Sequence, residues 1–478
     1  MRVVRGAGAP AVSNGNARLQ LVMDPLRILL SLLTVVTISR VHLHYPVLAA
    51  LRPVLLLSIL GVGYAFLYPR SLAAAGTVKA WPMRLVLVLG VLACCSAAFG
   101  ISLGNSAQFI LDSFIKTIAY ALLIAVSVRN ARDLYTYVWA FVLSCGILAI
   151  FAVFVFDVEF AGGSAARLGE LYTYDSNDLG VLLMMGLPLT LLLLFVDKGV
   201  KRWILLAILV GISAAMARSG SRGGFLGLVV VGAATLFVVN GVSVGGRLSL
   251  LLAAILTLSV AAPSGYWKQM GTIMSPTEDY NYSSLYGRKA LAKRGLGYMH
   301  DYPVFGIGIW NFAKAECTIS PNIGWLPRDE ALRCTAPHNS FIQVAAELGF
   351  PGFVVWTSLL LGLVAAPLRI RRRLPRNWLK GTPSERFLYA AASFFPIAMC
   401  GFAVTSFFVT FAFADPIYFM AALVTGLYTV VRAEMSVALG LGPVLSASER
   451  LPRRVSGWRV ARSAGRQPLE PPTLNAVT

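Results

Sequence analysis

Unbroken apolar runs constrain this chain more than any other feature. Stretches such as Trp203–Ala217 and Gly224–Val239 hold no charged residue. A helix crossing a bilayer core of ~30 Å needs about 20 such residues. Hydrophobic residues make up 57% of the chain and charged ones 13%, against about 25% charged in an ordinary soluble domain. The fold class expected is all-α integral membrane.

About 12 transmembrane helices follow at that length scale. They centre on 25–41, 47–68, 84–103, 107–127, 134–156, 178–196, 203–217, 223–240, 248–263, 340–367, 387–411 and 414–432. The first pair and the 203–240 region are short or interrupted. An even number puts both termini on one side, and Lys and Arg mark that side as cytoplasmic. They gather in the N-tail (1–24), in connectors such as Lys198–Arg202, in "RIRRRLPRNWLKGTPSER" (369–386) and in a basic tail at 433–478. The expected organisation is therefore helices 1–9 over 25–263, one large outer loop over 264–337, and helices 10–12 over 338–432. The N-tail lacks an apolar core with a small-residue cleavage site, so no removable signal peptide is expected.

The net charge of +20 invites a nucleic-acid reading. The basic residues instead lie mainly in short connectors and the tail, where they orient the chain and meet anionic lipid. Two of the six cysteines, Cys317 and Cys334, fall in the large outer loop, 17 residues apart. That compartment preserves disulfides, and a pair is expected there. The other four lie in apolar runs and read as small buried hydrophobes.

Two outer segments are long, roughly 157–177 between spans five and six and 264–337 between spans nine and ten, and long outer loops over a helical bundle commonly carry function. "SSLYGRKALAKRGLGYMHDYP" suggests a helix ending near Pro303, followed by a glycine-rich bend in "FGIGIWNF". Arg218 and Arg222 in "MARSGSRGGFLGL" sit between spans seven and eight, on the side where short loops normally avoid arginine. If that segment stays helical, their i, i+4 spacing puts both guanidiniums on one face, and forked donors suit phosphate oxygens. The alternative is snorkelling at a helix end. Asp175, Asn177 and Asp178 in "YTYDSNDLG" open span six, as a site or as its N-cap. Arg288 is a further loop guanidinium, or a solvated charge. Asp112 and Lys116 read as a structural ion pair inside span four.

"APHNSFIQVAAELGFPG" (336–352) carries His338 and Asn339 at the start of span ten. An imidazole near pH 6.5 can accept a proton at ambient pH, or serve as an interfacial hydrogen-bonder. Glu347 lies nine residues on, on the opposite helix face and about 13.5 Å away, so it reads as a structural anchor. No metal-binding, Walker, Rossmann or nucleophile-elbow pattern occurs, and no cofactor is expected.

Taken in order, "YDSNDLG", "SGSRGGFLGL", "GRKALAKRGLGYMHDYPVFGIGIWNF" and "HNSFIQVAAELGFPG" resemble the bacterial O-antigen ligases and their relatives, the repeat-unit polymerases of surface polysaccharides. The resemblance covers roughly residues 165–365. It implies a metal-independent membrane glycosyltransferase whose donor is a glycan on undecaprenyl diphosphate. The acceptor implied is lipid A core for a ligase, or another lipid-linked glycan for a polymerase. By the same resemblance Arg222 and Arg288 contact the diphosphate and His338 stands at the acceptor. Arg218 joins them by proximity, with Asp175, Asn177, Asp178 and Asn339 in support. A reading from another class is a transporter of polysaccharide or lipid-linked substrate, whose Arg and His would line a passage.

Overall fold

The computed structural model describes residues 19–72, 75–161, 165–169, 172, 174–239, 243–275, 287–321 and 334–438. Most of the N-tail and the basic tail beyond residue 438 lie outside them. Among the described residues, nine helices have the length and apolar composition to cross a membrane, and three apolar helices are shorter. In chain order, α1 (Pro25–Ser39), α2 (Pro53–Leu67), α3 (Trp81–Phe99), α4 (Leu103–Ser127) and α5 (Ala131–Phe154) precede a small hairpin of β1 (Val158–Ala161) and β2 (Ala165–Leu168). Then come α6 (Ser176–Val196), α7 (Val200–Ser219), α8 (Arg222–Val238) and α9 (Val244–Ala261). The long connection holds the short helices α10 (Tyr266–Gly271), α11 (Arg288–Asp301) and α12 (Phe312–Thr318). The chain continues through α13 (Ser340–Arg373), α14 (Pro383–Thr405) and α15 (Asp415–Ala438).

Every apolar run of the sequence has its helix. The first two are 15 residues each and α8 is 17. At 1.5 Å per residue the shortest reach only about 22 Å. The glycine and proline punctuation that makes those runs look interrupted also shortens their helices. α6 is apolar on every face and lies at the centre, packed on α14, α7 and α8, as an all-round hydrophobic helix must. α2 instead exposes Ile59, Val62 and Phe66, a face suited to lipid.

Three expectations change. Arg218 and Arg222 do not share a helical face, because Gly220 takes a left-handed conformation (φ 58°) and ends α7 before α8 begins. Lys116 does not pair with the Asp112 carboxylate. A π-helical turn at Ile110–Phe114 shifts the spacing, and the ammonium donates to the Asp112 main-chain carbonyl at 2.6 Å. The segment after α5, read from sequence as a loop, forms the antiparallel hairpin with Glu159 opposite Arg167. Elsewhere the wholly buried Arg27 meets Asp24 at 3.1 Å and Asp133 at 3.4 Å, the paired arrangement that a buried charge requires.

Candidate functional site

The strap between α14 and α15, residues 406–414, lies against the start of α13. Ser340 Oγ donates to the Val409 carbonyl and accepts from the Phe411 N–H. Gln343 accepts from Ala412 N–H, and the Trp356 indole donates to the Ala412 carbonyl. Asn339 caps α13, its side-chain oxygen accepting from the N–H groups of Phe341 and Ile342. One residue earlier, the His338 main-chain N–H donates to Thr410 Oγ1 at 3.0 Å. His338 is left-handed (φ 47°), a conformation that costs a non-glycine residue about 1–3 kcal/mol and clusters at functional positions.

The surroundings of His338 set its protonation. Burial lowers its pKa from the ordinary 6.5, the Arg288 guanidinium and then Arg167 push the same way, and the Asp175 carboxylate opposes them. The imidazole therefore stays neutral to lower pH than a free histidine, with a lone pair to offer.

Among the described residues, α6, α8, α11 and α13 begin around this site. Their N-terminal N–H groups and dipoles favour anions. Arg288 is the first residue of α11, its guanidinium carbon 5.5 Å from the centre of the Phe408 ring. Arg222 is the first residue of α8 and donates to Thr272 Oγ1 at 2.9 Å. Gly223 lies so close to the same Phe408 ring that a Cβ there would meet it at 2.7 Å. Phe408 thus brings the starts of α8 and α11 together.

The other predicted residues hold this end in shape. Arg218 turns away from α8, and its guanidinium donates to the carbonyls of Ala152 and Phe156 at 2.9 and 3.0 Å, closing the end of α5. Asp175 and Asp178 form a reciprocal capping box on α6. Asn177 accepts from Ser221 Oγ at 2.9 Å and ties α6 to α8. Cys317 and Cys334 are disulfide-bonded, their Cα atoms 5.2 Å apart, which joins α12 to the approach to His338. Glu347 is buried and accepts from the Trp310 and Phe312 N–H groups at 2.9 and 3.1 Å, anchoring the glycine-rich bend on α13.

Three participants carry no signal in the sequence. Arg167, on β2, donates to Ser176 Oγ and acts electrostatically on His338. Thr410 and Phe408 belong to the strap. Hairpin pairing placed the first, and packing of the strap on α13 the others. A net of a single histidine with two nearby guanidiniums, at the mouth of an apolar bundle, is suited to proton abstraction beside an anionic leaving group.

The family model described as O-Antigen ligase (Wzy_C) matches residues 204–357. That range includes Arg218, Arg222, Arg288, His338 and Asn339, and leaves out the α6 cap, Arg167 and the strap. No curated protein matches the chain. Over that segment the chain is similar to the O-antigen ligases, which supports the O-antigen ligase superfamily.

Proposed function

We propose that the protein is a membrane glycosyltransferase that moves a glycan from undecaprenyl diphosphate to a periplasmic acceptor such as lipid A core, without a metal. The observation that carries this reading is the neutral, strained His338 held beside Arg288 and Arg167, with the start of α8, where Arg222 sits, against Phe408 under Arg288. An acceptor hydroxyl oxygen attacks the anomeric carbon of the donor. The bond from that carbon to the phosphate oxygen breaks, and the diphosphate departs with the bonding pair. His338 takes the hydroxyl proton, while Arg222 and Arg288 meet the charge that grows on the leaving oxygens. Arg218 contributes by fixing the end of α5, and Asp175, Asn177, Asp178 and Asn339 by capping the helices around the site.

In this reading the three shorter apolar helices also span the membrane. That gives twelve crossings, a periplasmic 264–337 connection and cytoplasmic termini, with charge as the support. Purified protein in liposomes, given undecaprenyl-diphosphate glycan and an acceptor in the presence of EDTA, is expected to yield a covalent product. A single addition marks a ligase and a ladder marks a repeat-unit polymerase. Movement of intact substrate across the membrane without a new glycosidic bond overturns the reading in favour of transport.

A further inference from the structure

Beside the His338 site lies a chamber of about 570 Å³, within the size range of small-molecule sites. It is bordered by the end of α1, the π-helical turn of α4, the glycine-rich bend and the start of α15. Its chemistry is mixed. Asp112 and Asp415 offer carboxylates, Arg40 and Lys116 offer cationic donors, and Tyr174 and Trp310 offer aromatic rings. The rings are held in place, Tyr174 by the Arg40 guanidinium 4.0 Å from its centre and Trp310 by stacking on Phe109 at 4.3 Å. Thr37 Oγ1 faces the chamber buried and has no hydrogen-bond partner among the described residues. Carboxylates and hydroxyls that take up sugar O–H groups, with flat rings for the C–H faces of a pyranose, form a saccharide-binding set.

The strap fixes which sugar. Phe408 lies under Arg288 and against α8, Thr410 holds His338, and Phe411, Phe413 and Asp415 line the chamber. Guanidiniums, histidine and chamber therefore follow one another along a single segment. With the diphosphate at the guanidiniums, the chamber falls on the far side of the base, where the attacking hydroxyl belongs.

A second void of about 130 Å³ adjoins the chamber between α2 and α4 and shares Ser58, Lys116 and Tyr120 with it. Its remaining lining is apolar: Val62, Ile115, Ala119 and Leu123. Val62 and Ile115 are exposed on the face that α2 and α4 turn outward. Lys116 stands at the junction, where its contact with the Asp112 carbonyl uses one of three N–H groups. A polar chamber, a cation at its rim and an apolar groove leading into the bilayer match a sugar, a phosphate and a hydrocarbon chain in that order.

We propose that the chamber holds the acceptor sugar of a membrane-anchored glycan, with its phosphate at Lys116 and its hydrocarbon chain in the groove between α2 and α4. This rests on the glycosyltransferase reading with a lipid-linked glycan as acceptor, in which sugar, phosphate and hydrocarbon chain are contiguous as they are not in lipid A core, and its binding test does not require turnover. The probe is a polyprenyl-phosphate monosaccharide with a diazirine in its chain, photolysed with the full-length protein in liposomes. Adducts are expected on peptides from 53–67 and 115–127, and about tenfold fewer in Ala119→Trp, which fills the groove, and in Lys116→Met. Labelling centred on 222–261, labelling unchanged in both variants, or competition by phosphatidylglycerol as effective as by the unlabelled probe overturns the proposal. In transfer assays with matched lipid-anchored and water-soluble acceptors, Ala119→Trp is expected to raise KM about tenfold for the anchored one alone. An equal loss with both acceptors counts against the groove. Expected labelling in a protein that makes no product leaves the site standing and sinks the glycosyltransferase reading instead.

Discussion

His338 shows how an ordinary residue is tuned by its place. Its folded pKa lies below 6.5 because burial and two arginines disfavour the imidazolium. A base of that kind works above its pKa, so activity is present at neutral pH and is lost as pH falls through the lowered value. A kcat/KM profile from about pH 5 to 8 is expected to place the acid limb below 6.5, and a limb above it contradicts the assignment. His338→Ala is expected to lower kcat by about 10²–10⁴ while donor binding persists. Arg288→Ala removes a diphosphate contact together with a charge that depresses His338. The rate is expected to fall by about 10²–10³ and the acid limb to move upward. Arg218→Ala, which frees the end of α5, is expected to lower thermal stability and leave the limb in place. The histidine and the two arginines were legible in the sequence as charges at helix ends. Arg167 was not, because its approach to Ser176 depends on how β2 packs beside the start of α6, a contact between segments that no local pattern encodes.

Helix breaks are the devices that build the site at the level of elements. Gly220 separates Arg218 from Arg222, so one guanidinium closes α5 while the other opens α8. Gly349 interrupts α13 at φ 66°, where a Cβ would meet the Pro303 carbonyl oxygen at 2.7 Å. The carboxylate of Glu347, just before this break, holds two main-chain N–H groups of the glycine-rich bend. Glu347→Ala leaves the buried Phe312 N–H and the half-buried Trp310 N–H unpaired and is expected to cost about 2–4 kcal/mol of stability. Glu347→Gln, which keeps one acceptor oxygen, is expected to fall between. Thermal melts in detergent check the order, and an unchanged Glu347→Ala melt would remove the anchor role. Periodicity alone could not foresee the divergence of the arginines. Four residues of spacing put two side chains together only while the backbone remains helical, and a glycine decides whether it does.

At the scale of the molecule, the described residues hold nine helices of membrane-crossing length and three shorter apolar ones at the positions that hydropathy indicates, and the candidate residues gather at their ends. The proposed orientation predicts opposite exposure of Lys314 and Lys380. In a background with the four free cysteines replaced, Lys314→Cys is expected to react with a membrane-impermeant maleimide in intact spheroplasts. Lys380→Cys is expected to react only after lysis, and the reverse pattern inverts the topology. Apolar run length is a local property, so the sequence by itself determined the membrane class, the positions of the apolar helices and the order of the family motifs. Proximity among distant residues is not local. Only tertiary packing decided that a strap from 406 to 414 would hold His338, underlie Arg288 and wall a chamber against α1 and α4, because those contacts depend on how buried helices interlock and where their turns break.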